Sequence, residues 1–127
     1  MTNYPLGDFL IQIKNAGMAG KKEITLKTSK LINAVAEVLK KENILDKVNV
    51  KDDMLTVTLA QHNKEAMLLD LKLISKPGLR KYMGVDELKT RRRRGASFII
   101  LSTPQGIKTS EECLKEKTGG EALAEIW

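Results

Sequence analysis

An α+β fold in two small lobes is what this sequence predicts, and three observations carry that reading. Helical and strand periodicities alternate over the first 60 residues, two β-branched runs flank the polar triplet Lys51-Asp52-Asp53, and from about Met67 short apolar runs broken by Pro and Gly take over. The expected boundaries are 1–66 for an N-terminal lobe of helix, strand, helix and hairpin, and 67–127 for a mainly β C-terminal lobe with one short helix. A chain of 127 residues, 42% of them hydrophobic, is long enough to bury a core and short enough for one domain or two small lobes.

Leu6, Phe9, Leu10 and Ile13 recur at the spacing of one helical face, with Pro5 ahead as a start and Gly17 behind as a stop. Glu23-Ile24-Thr25-Leu26-Lys27 alternates polar and apolar, the pattern of a half-buried strand. Ser29 can then cap a helix whose core face is Leu31, Val35, Val38 and Leu39, and Asn43 tolerates the left-handed turn that would end it. Ile44 to Val50 and Met54 to Leu59 form a hairpin across the polar triplet. Helices on one side of that small sheet would cover both apolar faces.

Met67 to Ser75 and Leu79 to Tyr82 read as strands joined at Lys76-Pro77-Gly78, where Pro fixes φ at one turn position and Gly accepts positive φ at the next. Phe98-Ile99-Ile100-Leu101, the centre of Ser97 to Thr103, is apolar on both faces, as in a strand covered on both sides. Pro104-Gln105-Gly106 turns the chain. Thr109-Ser110-Glu111-Glu112 has capping-box spacing and opens a short helix to about Lys117, with Gly119-Gly120 as its stop. Glu121 to Trp127 closes the lobe as a strand, with Ala122, Ala124 and Ile126 on one face and Leu123 and Glu125 on the other.

The net charge is +6, and it is unevenly placed: residues 1–71 carry +1, residues 72–94 carry +7 and residues 95–127 carry −2. A concentrated cationic segment suits a polyanion. Arg91-Arg92-Arg93-Arg94 ends that segment and reads either as a phosphate grip, guanidinium forks matching phosphate oxygens, or as a solvated basic loop. One cysteine, Cys113, excludes an internal disulfide, and with a single His62 it leaves too few soft ligands for zinc, so no metal and no cofactor are expected. No apolar run is long enough for a bilayer and the N-terminal stretch lacks a signal-peptide layout, which predicts a cytoplasmic protein with no membrane partner. Neither catalysis nor a small-molecule substrate is expected: Ser102 or Cys113 as nucleophile would need His62 beside it, and no nucleophile-elbow motif surrounds either. His62 reads as a surface-loop residue and Cys113 as core.

Ser102-Thr103-Pro104-Gln105-Gly106, followed by Thr109, puts small hydroxyls at a strand end, in a tight turn and at a helix start. Such groups bond base edges and ribose 2′-hydroxyls, but the same spacing serves ordinary turn and capping chemistry at least as well. Gly119-Gly120 is equally a helix stop or a backbone contact for an anion or base. Tyr82, beside Arg80 and Lys81, either stacks on an unpaired base or belongs to the core. Aromatic residues are only 4% of the chain, which argues against a stacking platform for single strands and for a structured RNA helix as the polyanion.

Several stretches recur together and in order: Pro5-Leu6 with Asp8-Phe9-Leu10-Ile11-Gln12-Ile13-Lys14-Asn15; Ser29-Lys30-Leu31; Ser75-Lys76-Pro77-Gly78-Leu79-Arg80 with Tyr82; Ser102-Thr103 with Gly106 and Thr109; and Gly119-Gly120-Glu121. By these the chain resembles, from end to end, the bacterial small-subunit ribosomal protein S-eight family. The resemblance implies a two-lobed α+β protein, not an enzyme, that is a structural part of the small ribosomal subunit. It implies binding to the central domain of small-subunit ribosomal RNA at an irregular helix, and help in assembling the platform beside other small-subunit ribosomal proteins. In some bacteria it also implies repression of the protein's own operon through a messenger RNA that mimics the ribosomal site. On matching positions it places RNA contacts at Ser102, Thr103, Gly106 and Thr109, with Tyr82, Gly119, Gly120 and Glu121 nearby and Lys30, Lys14 and Asn15 in the N-terminal lobe. Arg80, Pro104 and Arg91 to Arg94 complete the expected contact set. The charge map alone also leaves open an RNA-binding regulator outside the ribosome, or a protein-interaction module that meets an acidic partner.

The chain departs from the family pattern at three places. Pro104 stands where the family usually has Ser, Gln12 where it usually has Arg, and Arg91 to Arg94 where it is usually less basic. Pro104 deletes a hydroxyl and a backbone donor, so part of the hydrogen-bond recognition is expected to be traded for phosphate attraction. Replacing all four arginines by Ala should then lower the slope of log affinity against log salt by about 3, close to one for each phosphate no longer neutralised. Filter binding on small-subunit ribosomal RNA reads that slope, and an unchanged value would remove the arginines from the interface.

Overall fold

The computed structural model of the chain describes residues 4–62, 65–66, 70–91 and 98–126. The chain divides into two compact units, Asn3–Asp70 and Leu71–Trp127. In the first unit α1 (Pro5–Met18), β1 (Glu23–Lys27), α2 (Lys30–Lys41), β2 (Leu45–Lys51) and β3 (Met54–Leu59) precede the two short strands β4 (Gln61–His62) and β5 (Glu65–Ala66). Strand β3 is the centre of an antiparallel sheet ordered β1-β3-β2. The register pairs Val57 with Ile24 and Val48, and Leu55 with Leu26 and Val50, which gathers the apolar side chains on one face. Both helices pack against the sheet and contribute the buried Phe9, Leu10, Ile13, Val35, Ala36 and Leu39.

The core face of α2 differs from its reading in the sequence by the loss of Leu31 and the gain of Ile32 and Ala36. Ile32, Val35, Ala36, Val38 and Leu39 are buried, whereas Leu31 is 40% exposed. Leu31 lies in the first helical turn on the rim of the stripe, and Ile32 takes its place in the i, i+3, i+4, i+7 set. Ser29 caps the helix as expected, its hydroxyl accepting from the Ile32 amide at 3.3 Å. His62 lies on β4 by its backbone.

Three helices end in one way, on a left-handed residue with two reversed hydrogen bonds. After α1 this residue is Gly20 (φ 74°), with Lys21 N donating to Ala16 O at 2.8 Å and Gly20 N to Gly17 O at 3.3 Å. After α2 it is Asn43 (φ 64°), with Ile44 N donating to Leu39 O at 2.9 Å and Asn43 N to Lys40 O at 3.0 Å. In the second unit it is Lys117 (φ 54°), with Thr118 N donating to Cys113 O at 3.0 Å and Lys117 N to Leu114 O at 3.4 Å. Two expected stops therefore move: α1 runs past Gly17, and the last helix halts before Gly119-Gly120.

The second unit contains β6 (Leu71–Leu73), β7 (Tyr82–Met83), α3 (Val85–Arg91), β8 (Phe98–Thr103), β9 (Gly106–Thr109), α4 (Ser110–Glu116) and β10 (Gly120–Ile126). The sheet runs β6-β10-β8-β9, with β7 also paired to β10. Met83, Leu88, Ile99, Leu101, Cys113 and Ala122 form a buried cluster to which α3 supplies Leu88 and α4 supplies Cys113. Helix α3 is an addition to the single helix expected here; its seven residues hold too few apolar positions to show a period. Strand β9 is also new. The strands expected on either side of Lys76-Pro77-Gly78 do not pair with each other beyond a bridge between Lys76 and Leu79; β6 and β7 pair instead with β10. Met67 to Leu69, expected in the first of them, lie outside the described residues. The turn itself is as read, with Gly78 at φ 81° and Lys76 and Leu79 exchanging backbone hydrogen bonds of 3.1 and 2.9 Å.

A register shift between Ala122 and Ala124 changes which side chains share a face of β10. Ala122 lies opposite Leu101, and Ala124 lies opposite Ile100, its neighbour on the other face of β8. The extra residue, Leu123, accepts from Ile74 N at 3.0 Å through its carbonyl. Ala122, Ala124 and Ile126, expected on one face, are thus divided, with Ala122 in the cluster and the other two beside Ile100 and Phe98. Among the described residues no helix is long and apolar enough to cross a membrane.

Of these three helix ends, the left-handed Lys117 is the one occupied by a residue whose Cβ opposes that conformation without the local hydrogen bonding open to Asn43. Lys117→Gly should stabilise the chain by about 0.5 to 1 kcal/mol, relieving a left-handed penalty of about 1 to 2 kcal/mol less the roughly 0.5 to 1 kcal/mol of entropy that glycine loses. Urea denaturation measures it; a lower midpoint would mean that the lysine side chain contributes more than its backbone costs.

Candidate nucleic-acid interface

Directly opposite residues of neighbouring antiparallel strands point to the same face. Tyr82 lies opposite Glu121, Glu121 opposite Ser102, and Ser102 opposite Ile107, so one row crosses β7, β10, β8 and β9. Leu101 and Ala122, next along their strands, point the other way into the buried cluster. Tyr82 is 71% exposed, which settles its choice between core and surface. Arg80 Nη1 donates to Glu121 Oε2 at 3.2 Å, so the carboxylate fixes a half-exposed guanidinium on this row. The Ser102 hydroxyl, half-buried, has no hydrogen-bond partner among the described residues. An aromatic ring, a guanidinium and an open hydroxyl therefore share one surface.

The strands carrying them close up because two residues lack a side chain. A Cβ at Gly120 would run into the carbonyl oxygen of Ser102, and one at Gly119 into that of Met83. The glycine pair, read as a helix stop, is in fact the place where β10 meets β8 and β7. A second device carries no motif in the sequence. Ser75, wholly buried, accepts from Lys81 N at 2.9 Å and donates to Lys81 O at 3.2 Å, and the same carbonyl accepts from Ala122 N at 2.9 Å. That hydroxyl ties down the backbone between Arg80 and Tyr82. Its only signal is a lone polar residue at the end of an apolar run, just ahead of the Pro-Gly turn.

The other candidate hydroxyls face inward. Thr103 Oγ1 donates to Gly106 O at 2.8 Å and accepts from Gln105 N at 3.2 Å, closing the turn in which Gly106 takes φ 120°. Thr109 is 1% exposed; its Oγ1 accepts from Glu112 N at 3.3 Å while Glu112 Oε1 accepts from Thr109 N at 3.2 Å, a complete capping box. Pro104, Gln105 and Gly106 are exposed. On the adjoining strand Lys108 pairs with Glu116 at 2.9 Å, a hydrogen bond that raises the pKa of its ammonium group. Burial pushes the Cys113 thiol above its usual range, with Glu116 and Glu112 adding to the shift, so it stays protonated near neutrality and is a poor nucleophile.

The remaining candidates lie in the first unit, on α3 or outside the described residues. Lys14, in the first unit, is paired with Asp70 at 2.9 Å. Asn15 is exposed on α1, and Lys30 is exposed as the first residue of α2, next to the cap Ser29. Arg91 ends α3 by its backbone, and Arg92, Arg93 and Arg94 lie outside the described residues.

A basic α+β chain that sets a ring, a guanidinium and a hydroxyl in a row, and shuts its lone thiol in the core, has the make-up of an RNA-binding protein rather than an enzyme. Residues 4–127 match the family Ribosomal protein S8, and the chain belongs to that family of non-enzymatic ribosomal proteins. It is similar to the small ribosomal subunit protein uS8 of Persephonella marina, 36% identical over 137 aligned positions covering 100% of both chains. The uS8 of Nitratidesulfovibrio vulgaris is 34% identical over 127 positions, again 100% of both. That of Caldanaerobacter subterraneus subsp. tengcongensis is 39% identical over 128 positions, 97% of this chain and 96% of its own.

The Ser75 hydroxyl supplies a testable link between core and surface. Ser75→Ala leaves the Lys81 amide without its buried acceptor and should cost about 1 to 3 kcal/mol of unfolding free energy. RNA affinity should also fall below that of a variant equally destabilised elsewhere, such as Val57→Ala in the other unit. Equal affinities for the two variants, compared where both are folded, would deny Ser75 any part in placing Arg80 and Tyr82.

Proposed function

We propose that this chain is a structural component of the small ribosomal subunit that binds the central domain of its ribosomal RNA and helps assemble the platform, among other small-subunit proteins. Membership of the family supports the ribosomal role, and its relatives carry the name of a small-subunit protein. The observation that carries the binding mode is the row Tyr82, Glu121, Ser102 with Arg80 attached. In this reading Tyr82 stacks on a base displaced from an irregular helix. Ser102 bonds a base edge or a 2′-hydroxyl in the shallow minor groove, and Arg80, aimed by Glu121, meets phosphate. The exposed Pro104-Gln105-Gly106 turn lets backbone approach the groove. Thr103, Thr109, Gly119 and Gly120 act one step back, holding the turn, the helix start and the strand spacing on which the contacts depend.

Hydroxyl-radical footprinting of the purified protein on small-subunit ribosomal RNA tests the proposal. Protection of a single internal-loop helix in the central domain is expected, and diffuse protection along the RNA would defeat it. Tyr82→Ala should weaken binding by about 1 to 3 kcal/mol, the range of one base stacked on an aromatic ring, whereas Tyr82→Phe should stay near wild type. Co-sedimentation with small subunits in high salt separates this role from that of a regulator acting outside the ribosome.

A further inference from the structure

The first unit has an open depression of about 230 Å³ between the C-terminal half of α1 and the start of β1, lined by Gln12, Asn15, Ala16, Ala19, Lys21 and Ile24. We propose that it receives one unpaired nucleobase, adenine by preference, from the RNA that the chain binds. The proposal rests on the RNA-binding reading above and adds to it a second, base-selective contact in the other unit.

The depression is built by ordered structure. Gln12, Asn15 and Ala19 follow one another at i, i+3 and i+7 on one side of the end of α1, with the buried Ala16 as floor. The left-handed turn at Gly20 brings the chain back, and the bond from Lys21 N to Ala16 O at 2.8 Å fixes Lys21 against the helix end as the chain turns into β1. Its size lies below the roughly 300 to 1,000 Å³ usual for drug-sized ligands, which suits a single planar ring system.

Its chemistry is selective. The side chains of Gln12, Asn15 and Lys21 make no hydrogen bond or ion pair with other described residues, so two carboxamides and an ammonium group face solvent around a floor of Cβ atoms and Ile24. A carboxamide offers a donor and an acceptor in one plane, the complement of the N6 and N7 edge of adenine. The apolar floor would take one face of the ring, and Lys21 the adjoining phosphate. Two other concavities set carboxylates in their lining, where this one has none. One in this unit includes Asp46 beside Lys22, and one in the second unit includes Glu87 and Glu125 among its lysines.

Interference mapping tests the proposal with small-subunit ribosomal RNA carrying 7-deazaadenosine at random single positions. Wild type should reject substitution at one unpaired adenine. Gln12→Ala/Asn15→Ala should bind roughly tenfold more weakly, as expected for removing one bidentate base contact, and should no longer discriminate at that position. Ala19→Leu, which fills the depression from an exposed position, should reproduce the loss without removing an amide. Wild-type affinity and an unchanged interference pattern in both variants would overturn the proposal. If Tyr82→Ala weakens binding while both of these variants bind as wild type does, the depression is excluded and the proposed function stands. If wild type itself fails to bind the RNA, the proposed function falls and this inference with it.

Discussion

The tightest constraint in the second unit is the approach of Gly120 to the carbonyl of Ser102, a distance at which no side chain fits. Strand β10 pairs with β6, β7 and β8, so the spacing at its start decides where three other strands lie. Gly120 lets β8 come close, Gly119 does the same for β7, and the next residue, Glu121, then stands between Tyr82 and Ser102. Any bulkier residue at either glycine would push apart the two strands that carry the ring and the hydroxyl. The row is thus a consequence of two missing Cβ atoms as much as of the polar residues themselves.

Residue type alone does not separate the hydroxyls that meet solvent from those that hold the fold. Ser102 and Thr103 look equivalent in sequence, yet Thr103 closes a turn while Ser102 faces out; Thr109, marked by its capping-box spacing, caps a helix. Local chemistry was legible: the capping box, the Ser29 cap, the Pro77-Gly78 turn and the left-handed Asn43 all follow from rules spanning four or five residues. What depends on distant partners was not. The register shift at Leu123 arises from pairing with β8, the burial of Ile32 over Leu31 from the placement of α2 on its sheet, and the role of Ser75 from a backbone six residues away. Helix α3 and strand β9 were too short, and too poor in apolar residues, to show a period.

Pro104 looked like a loss at the centre of the turn, but the turn does not need what Pro lacks. Its closing bonds run from Thr103 Oγ1 to Gly106 O and from Gln105 N to Thr103 Oγ1, and neither uses an amide at position 104. The substitution therefore takes a donor and a hydroxyl from the exposed surface while leaving the backbone intact. Its effect falls on whatever docks there. In the proposed function charge would compensate, since residues 72–94 hold a local excess of +7 and include Arg80 on the row.

A carboxylate on a surface proposed to bind RNA needs a reason, and Glu121 has one. Its side chain is 19% exposed and bonded to Arg80, so it shows little negative charge to a phosphate while setting the direction of the guanidinium. A cluster of lysines and arginines attracts any polyanion from a distance, whereas an arginine held by a carboxylate is aimed at one place. The two kinds of cation divide the work. In the proposed function the excess in residues 72–94 would supply long-range, salt-sensitive attraction, and the Tyr82, Glu121, Ser102 row with its fixed Arg80 would supply geometry. Attraction without such a row would hold every RNA equally. In the proposed binding mode, an irregular helix with a displaced base for Tyr82 and an open minor groove for Ser102 is the target that would meet both requirements.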